Sequence, residues 1–239
     1  MNAIAAGPRM PTTAAVPAYL NETYWWAYVH PNAVRLFERQ WLVNLILWGN
    51  FARLRDAALD ALGKTLPGRT LQVACVYGDF TQRLAARIAP GGSLDVVDVL
   101  PIQLENASRK VDPAAPVRFL RRDSSDLGFP DATYERVALF FLLHEMPAAV
   151  RRPTLAEALR VVKPGGEVVI IDYHRPAAWH PLRPLMAWIL RRFEPFAPDL
   201  WAHEVSEWLP AGHGATIRKR TYWGGLYQSL VLAVPKPKP

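Results

Sequence analysis

One cysteine, Cys75, is all the thiol that the 239 residues contain, so no internal disulfide framework is possible and a reducing, cytoplasmic setting is expected. No apolar run reaches the roughly 18 to 20 residues that a spanning helix needs. Residues 1–18 carry one charged side chain, Arg9, and lack the basic start and long apolar stretch of a secretory signal. They are expected to be a disordered lead-in, and residues 235–239 a short tail. Acidic residues are outnumbered, 21 against 28 Lys and Arg, for a net charge of +7. That balance attracts anionic partners, nucleic acid or an anionic bilayer surface. Arg121–Arg122, Arg151–Arg152, Arg191–Arg192 and the 218–220 run are scattered, with no basic strand interleaved with aromatics, and this disfavours nucleic acid.

What is present is half apolar, 51% of residues, enough for one sizeable core. Val34, Phe37, Trp41, Leu45, Trp48 and Ala52 recur every three or four positions, a helical stripe from Pro31 to Leu62 that Gly49 divides in two. Thr70 to Val76 is a strand running into a Tyr77-Gly78 turn, with Phe80, Leu84 and Ile88 opening a helix. Strand 94–99, helix 102–110, strand 117–120, strand 136–143, helix 147–162 and strand 167–172 follow. Residues 215–221 and 228–234 suit a closing antiparallel pair around Trp223-Gly224-Gly225. Such alternation predicts an α/β fold: a doubly wound, mostly parallel Rossmann-like sheet, with residues 19–234 as a single domain.

Ligands in such sheets bind at the carboxyl ends of the strands, which makes the candidates countable: residues 75–79, Asp98, 123–126, His144 and Glu145, and 172–174. Gly78 permits close backbone approach. Asp98 follows Gly78 by 98 minus 78, or 20, residues, the interval at which a carboxylate ending the second strand reaches a ribose diol; the plainer reading is a cap for the helix after Pro101. Asp123 either accepts from an adenine amino group or pairs with Arg121 or Arg122.

The stretches LQVACVYGDFT, DVVDV, RRDSSDLGFPDATYERV and RVVKPGGEVVIID resemble the successive motifs of class I S-adenosylmethionine-dependent methyltransferases. The first motif of that family has three glycines, where this chain has Ala74, Val76 and Gly78. The flanks ETYWWAYVHPNAVRLFERQWLVNLILWGNFARLRDAAL, VYGDFTQRLA and DYHRP resemble a narrower group, the rhodoquinone biosynthesis proteins of RquA type. The resemblance implies cofactor contacts from Val76, Gly78, Asp98, Val99, Asp123 and Ser124. It implies that a ring methoxy group of ubiquinone is replaced by an amino group drawn from S-adenosylmethionine, with manganese.

On that expectation the metal ligands are Asp79, which otherwise caps the helix at Phe80, and His144, which otherwise positions a substrate carbonyl. His174 and Asp172 stand in reserve. Tyr77 orients the cofactor carboxylate or a ring oxygen, or else packs on amino-terminal aromatics. Tyr24, Trp25, Trp26, Tyr28, His30, Trp41 and Trp48 are expected to wall a quinone pocket within a helical lid, residues 19–62. Cys75 is expected to be buried and idle. Residues 176–212 form an insertion whose first part, Pro176 to Phe196, mixes Trp179, Trp188 and Phe193 with Arg183, Arg191 and Arg192 beside Arg175 and looks interfacial. It would station the chain peripherally at the inner face of a membrane. The competing expectations are methyl transfer to a small lipophilic aromatic and a cofactor-binding protein without turnover.

Overall fold

Strands rich in Leu, Val, Ile and Phe flanked by helices with one apolar face bury both sheet surfaces only when helices cover each side. The computed structural model, which describes residues 15–24 and 31–236, has that arrangement. Its helices are α1 (Ala18–Thr23), α2 (Pro31–Phe37), α3 (Gln40–Ile46), α4 (Phe51–Leu62), α5 (Phe80–Ala85), α6 (Pro101–Ser108), α7 (Ala148–Val161), α8 (Arg183–Phe193) and α9 (Asp199–Ala202). Its strands are β1 (Arg69–Val73), β2 (Ser93–Asp98), β3 (Val117–Arg121), β4 (Tyr134–Phe140), β5 (Val162–Tyr173), β6 (Thr216–Tyr222) and β7 (Tyr227–Ala233).

The seven strands are ordered β3-β2-β1-β4-β5-β7-β6. The first five are parallel, and β7 enters antiparallel between β5 and β6. Strand order reverses between β1 and β4, so their carboxyl ends diverge into a crevice. This is the expected doubly wound sheet with its closing antiparallel pair. Residues 1–14, 25–30 and 237–239, which include most of the expected lead-in and tail and the stretch from Trp25 to His30, lie outside the described residues.

Several boundaries differ from the sequence reading: β1 ends at Val73 and not at Val76, and β4 ends at Phe140 and not at residue 143, so His144 lies in a 3-10 turn beyond the strand it was expected to close. The stripe over 31–62 is three helices, not two. Near Gly49, Trp48 and Gly49 both take positive φ (52° and 76°) and the Asn50 amide donates to the Leu47 and Trp48 carbonyls. The other break falls at Arg39, in extended backbone without glycine or proline to announce it. The Lys163–Gly166 turn does not start β5 but lies inside it, as an irregularity against β4. A Cβ on Gly166 would meet the Glu135 carbonyl at 2.5 Å, so only glycine lets the strands approach there. Helix α4 buries Phe51, Leu54, Ala58, Leu59 and Leu62 against β4 and β5, and Phe51 thereby reaches the crevice.

Candidate active site

The turn leaving β1 keeps the shape of a glycine turn after losing the glycines. Ala74 has φ +69°, a left-handed conformation that costs an L-residue about 1–2 kcal/mol, and it lines the cleft with Cys75. Gly78, φ +85°, is required for a different reason from the expected one: a Cβ there would sit 2.5 Å from the Phe51 ring. Its open side receives α4. Val76 and Tyr77 face a cavity on the other side of the turn.

Asp98, closing β2, is buried and accepts from the Cys75 N–H through Oδ2 and the Leu100 N–H through Oδ1, each at 2.8 Å. Burial pushes its carboxyl up, and the backbone donors only partly offset this, leaving it at about 6. Asp98 is not the cap of α6, whose N-cap is Leu100 with no side-chain cap; it holds the Leu100 N–H and faces a narrow cleft shared with Val99, Asp123 and Ser124. Asp123 pairs with neither arginine. Its Oδ1 accepts from the Ser125 N–H and hydroxyl at 2.8 and 2.7 Å, while Arg121 donates to the Val99 carbonyl and Arg122 lies over Phe129. Ser124 bonds the Thr154 hydroxyl. Tyr19 and Leu20 of α1 line the same cleft, and α1 is pinned by packing of Leu20 and Tyr24 near Leu100 and Phe196.

Beyond Cys75 and Glu145, which line both spaces, opens a cavity of about 480 Å³. Its wall is mostly apolar: Phe37, Trp48, Phe51, Phe140, Phe141 and Tyr173 supply the rings, Met186, Ile189 and Leu190 the α8 side. Its polar end is His144, Glu145 and Glu194. His144 sits in a 3-10 turn, Leu143–Glu145, whose Leu143 N–H donates to Asp172 Oδ2 at 2.7 Å, while its ring Nδ1 lies 2.9 Å from Asp172 Oδ1. Burial pulls the imidazole down, but the Asp172 carboxylate, helped by Glu194 and Glu145, outweighs it and raises the group to about 9. The Asp172 carboxylate thus favours the protonated ring, whose second nitrogen, Nε2, is left 3.8 Å from Glu145 Oε1. The turn is braced from behind by fully buried Arg151, which donates to the Leu143 and Met146 carbonyls. Phe141, with φ +54°, carries strain of the kind that gathers at functional sites.

Several expected residues are not brought together. Asp79 was paired with His144 as metal ligand, yet its carboxylate is bound by Arg55 and Arg83 and it is absent from the cavity wall. Burial tends to raise it, and those two guanidiniums overcome that and hold it below the ordinary carboxylate range. Nor does its side chain cap α5. His174 faces a separate pocket, with Nδ1 2.7 Å from the Gly225 carbonyl and Nε2 2.9 Å from the Lys219 ammonium. Asp79, His144 and His174 thus do not form a donor set for manganese, and among the described residues no group of three or more His, Cys, Asp or Glu is placed to hold a metal ion.

Tyr77 lines the cavity, stacks on Phe37 at 5.9 Å and accepts from the Gln103 amide at 3.0 Å. The aromatic wall is also not the expected one: Trp41 points outward, Tyr24 packs on Phe196, and only Trp48 of the described members lines the cavity. Cys75 is half-buried, with its thiol pushed well up by burial, in keeping with an idle role. Glu194 and Arg151 were missed, since a lone acid after Arg191-Arg192 and an arginine in a helix give no periodic signal. Asp172 was counted only as a reserve ligand.

Comparison with known proteins agrees with this fold. Residues 70–166 match the methyltransferase domain family. The chain is 30% identical over 139 residues to a ubiquinone/menaquinone biosynthesis C-methyltransferase of Ectopseudomonas mendocina, covering 56% of this chain and 54% of that protein. It is 33% identical over 136 residues to a demethylmenaquinone methyltransferase of Thermus thermophilus, covering 56% of this chain and 60% of that protein. The chain thus spans little more than half the length of these curated relatives. A solved O-methyltransferase family protein of Burkholderia thailandensis shares the fold at TM-score 0.66 and 16% identity, over 88% of this chain and 62% of that one. Residues 70–166 thus resemble a methyltransferase domain, and the seven-stranded sheet has the Rossmann-like fold of class I methyltransferases.

Proposed function

We propose that the chain is an S-adenosylmethionine-dependent transferase whose acceptor is the ring of a lipophilic hydroquinone, and that the group it moves is methyl. The observation that carries this reading is the junction at Cys75 and Glu145, where the polar cleft ending β2 meets an apolar cavity with an imidazolium at its inner end. Bound S-adenosylmethionine supplies an electrophilic methyl. Asp98 is the acceptor for its ribose hydroxyls, with Val99, Asp123 and Ser124 around the base. Residues 37–51 and 186–194 act as two walls of the acceptor pocket.

The site's own groups can serve ring methylation. The apolar wall holds the ring and tail and excludes water, which strengthens every charge at the inner end. The His144 imidazolium donates to a ring oxygen and favours its anionic form, which makes the neighbouring ring carbon nucleophilic. As the carbon–carbon bond forms and the sulfur–carbon bond breaks, the ring carbon loses its proton, and Glu145, lining both spaces, is the carboxylate placed to take it.

Amino transfer to ubiquinone, as in rhodoquinone formation, is a second reading favoured by one observation. Val76 and Ala74 put side chains where glycines normally enclose the cofactor's tail, and that changes which of its atoms faces the acceptor. Manganese in such a reaction would require donors other than Asp79 and His174. One experiment separates the readings. Cofactor carrying a heavy methyl carbon and a heavy amino nitrogen is incubated with ubiquinone or its ring-demethylated hydroquinone, with and without manganese, and the quinone is analysed by mass spectrometry. Heavy carbon on the ring supports methylation. Heavy nitrogen with loss of a methoxy group supports the second reading, and neither label on any quinone overturns both.

A further inference from the structure

The cavity has a mouth, and the mouth has an unusual rim. Trp41, Leu45 and Ile46 of α3 are 60%, 61% and 42% exposed, and across the opening Leu185, Trp188 and Phe193 of α8 are 42%, 61% and 40% exposed. Leu45, Ile46 and Phe193 also line the cavity itself, so the exposed apolar surface is continuous with its interior. The two sides are joined beneath, where Trp48 Nε1 meets Met186 Sδ at 3.0 Å. Helix α8 divides its faces cleanly: Met186 and Leu190 are buried, while Leu185, Trp188 and Arg192, spaced three and four apart, point outward. Single exposed apolar side chains are ordinary, but large ones gathered about one opening mark an interaction site.

The charges beside this rim say what kind of partner fits. Elsewhere in the fold Arg55, Arg69, Arg83, Arg118 and Arg160 each pair with a carboxylate, while others such as Arg53, Arg122 and Arg220 pair with no described one. Arg35 and Arg39, next to α3, and Arg183, Arg191 and Arg192, on α8, form no ion pair with any described carboxylate. Apolar side chains ringed by uncompensated cations match an anionic bilayer, in which tryptophan seats at the headgroup level and arginine meets lipid phosphate. Among the described residues no helix is long and apolar enough to cross a membrane, so contact through this face would be interfacial.

We propose that the α3–α8 rim docks on an anionic lipid bilayer, with the cavity mouth facing the acyl region. This rests on the reading that the acceptor is lipophilic: such a molecule would pass from bilayer to cavity without crossing water. The test uses the full chain and two kinds of vesicle, phosphatidylcholine alone and equal parts phosphatidylcholine and phosphatidylglycerol, with sedimentation and tryptophan emission as readouts.

Strong binding to the anionic vesicles with a blue-shifted emission is expected, weakened by salt. Replacing Arg191→Gln and Arg192→Gln should lower partition roughly tenfold or more, since each basic side chain near an anionic surface contributes measurably. Trp188→Ala should remove much of the emission shift. Circular dichroism of each variant checks that it folds. Equal partition onto both vesicles, binding indifferent to all three substitutions, or a vesicle-free dimer dissociated by Trp188→Ala would overturn the proposal. A short-tailed, water-soluble quinone assayed in parallel keeps the two ideas apart. Its turnover without vesicle binding sinks the docking face alone, and vesicle binding without its turnover leaves the face standing and counts against the acceptor.

Discussion

Asp79 and His144 stand near the carboxyl ends of adjacent strands, β1 and β4, and each forms an ionic contact with an oppositely charged partner, yet they do opposite things. Asp79 is closed off by Arg55 from α4 and Arg83 from α5, so its charge ties two helices together. His144 is held from behind by Asp172, with the rest of the ring turned to the cavity. A strand-end position brings a residue to the crevice, and the direction from which its partner arrives decides whether it is left facing a substrate or locked into the scaffold.

The comparison would break first at His144. Its replacement by alanine should cut turnover by about 10² to 10⁴ with cofactor affinity little changed, as read by steady-state rates beside calorimetry. A loss of affinity equal to the loss of rate would move His144 into the cofactor site.

The same residue has a pH signature. Its pKa rises from 6.5 unfolded to about 9 folded, so the folded state binds more protons between those values, and the stabilisation it contributes is complete below about 6.5 and lost as pH rises through about 9. Thermal melts of the protein and of His144→Gln across that range should converge at high pH. Rates depending on the protonated ring should fall only as pH rises through the folded value of about 9.

Asp98→Ala should weaken cofactor binding by about one to two powers of ten, the value of roughly 1.5–3 kcal/mol for a hydrogen bond to a charged acceptor. Unchanged calorimetric affinity would reduce Asp98 to its backbone contacts. The smallest functional effect is expected for Asp79→Asn, which leaves the buried Arg55 guanidinium poorly matched. A stability loss of about 1–3 kcal/mol by denaturant titration, with turnover nearly intact, would confirm the contrast; loss of turnover without loss of stability would return Asp79 to the active site.

Cofactor-side positions were the legible part of this site, because parallel strands read as short apolar runs and the residue ending each run must fall at the crevice. Asp98, Asp123 and Ser124 are found there for that reason. The acceptor side was less legible. Glu194 lies 50 positions after His144, 194 minus 144, and reaches it only because α8 folds back over the β4 and β5 ends. Trp41 and Tyr24 sit in the same helical stripe and aromatic cluster that predicted a pocket wall, but the break at Arg39 and the packing on Phe196 turn them elsewhere.

By itself the sequence determined the layered α/β architecture and the strand ends that face the cleft, since both depend on local periodicity and on where the chain reverses. Tertiary structure alone decided which ionisable groups stay available. Arg55 and Arg83 converge on Asp79 from two helices, Asp172 reaches His144 from the neighbouring strand, and Lys219 meets His174 from β6. Charge pairing is set by distances of a few ångströms between segments far apart in the chain, and no spacing along the chain encodes those distances.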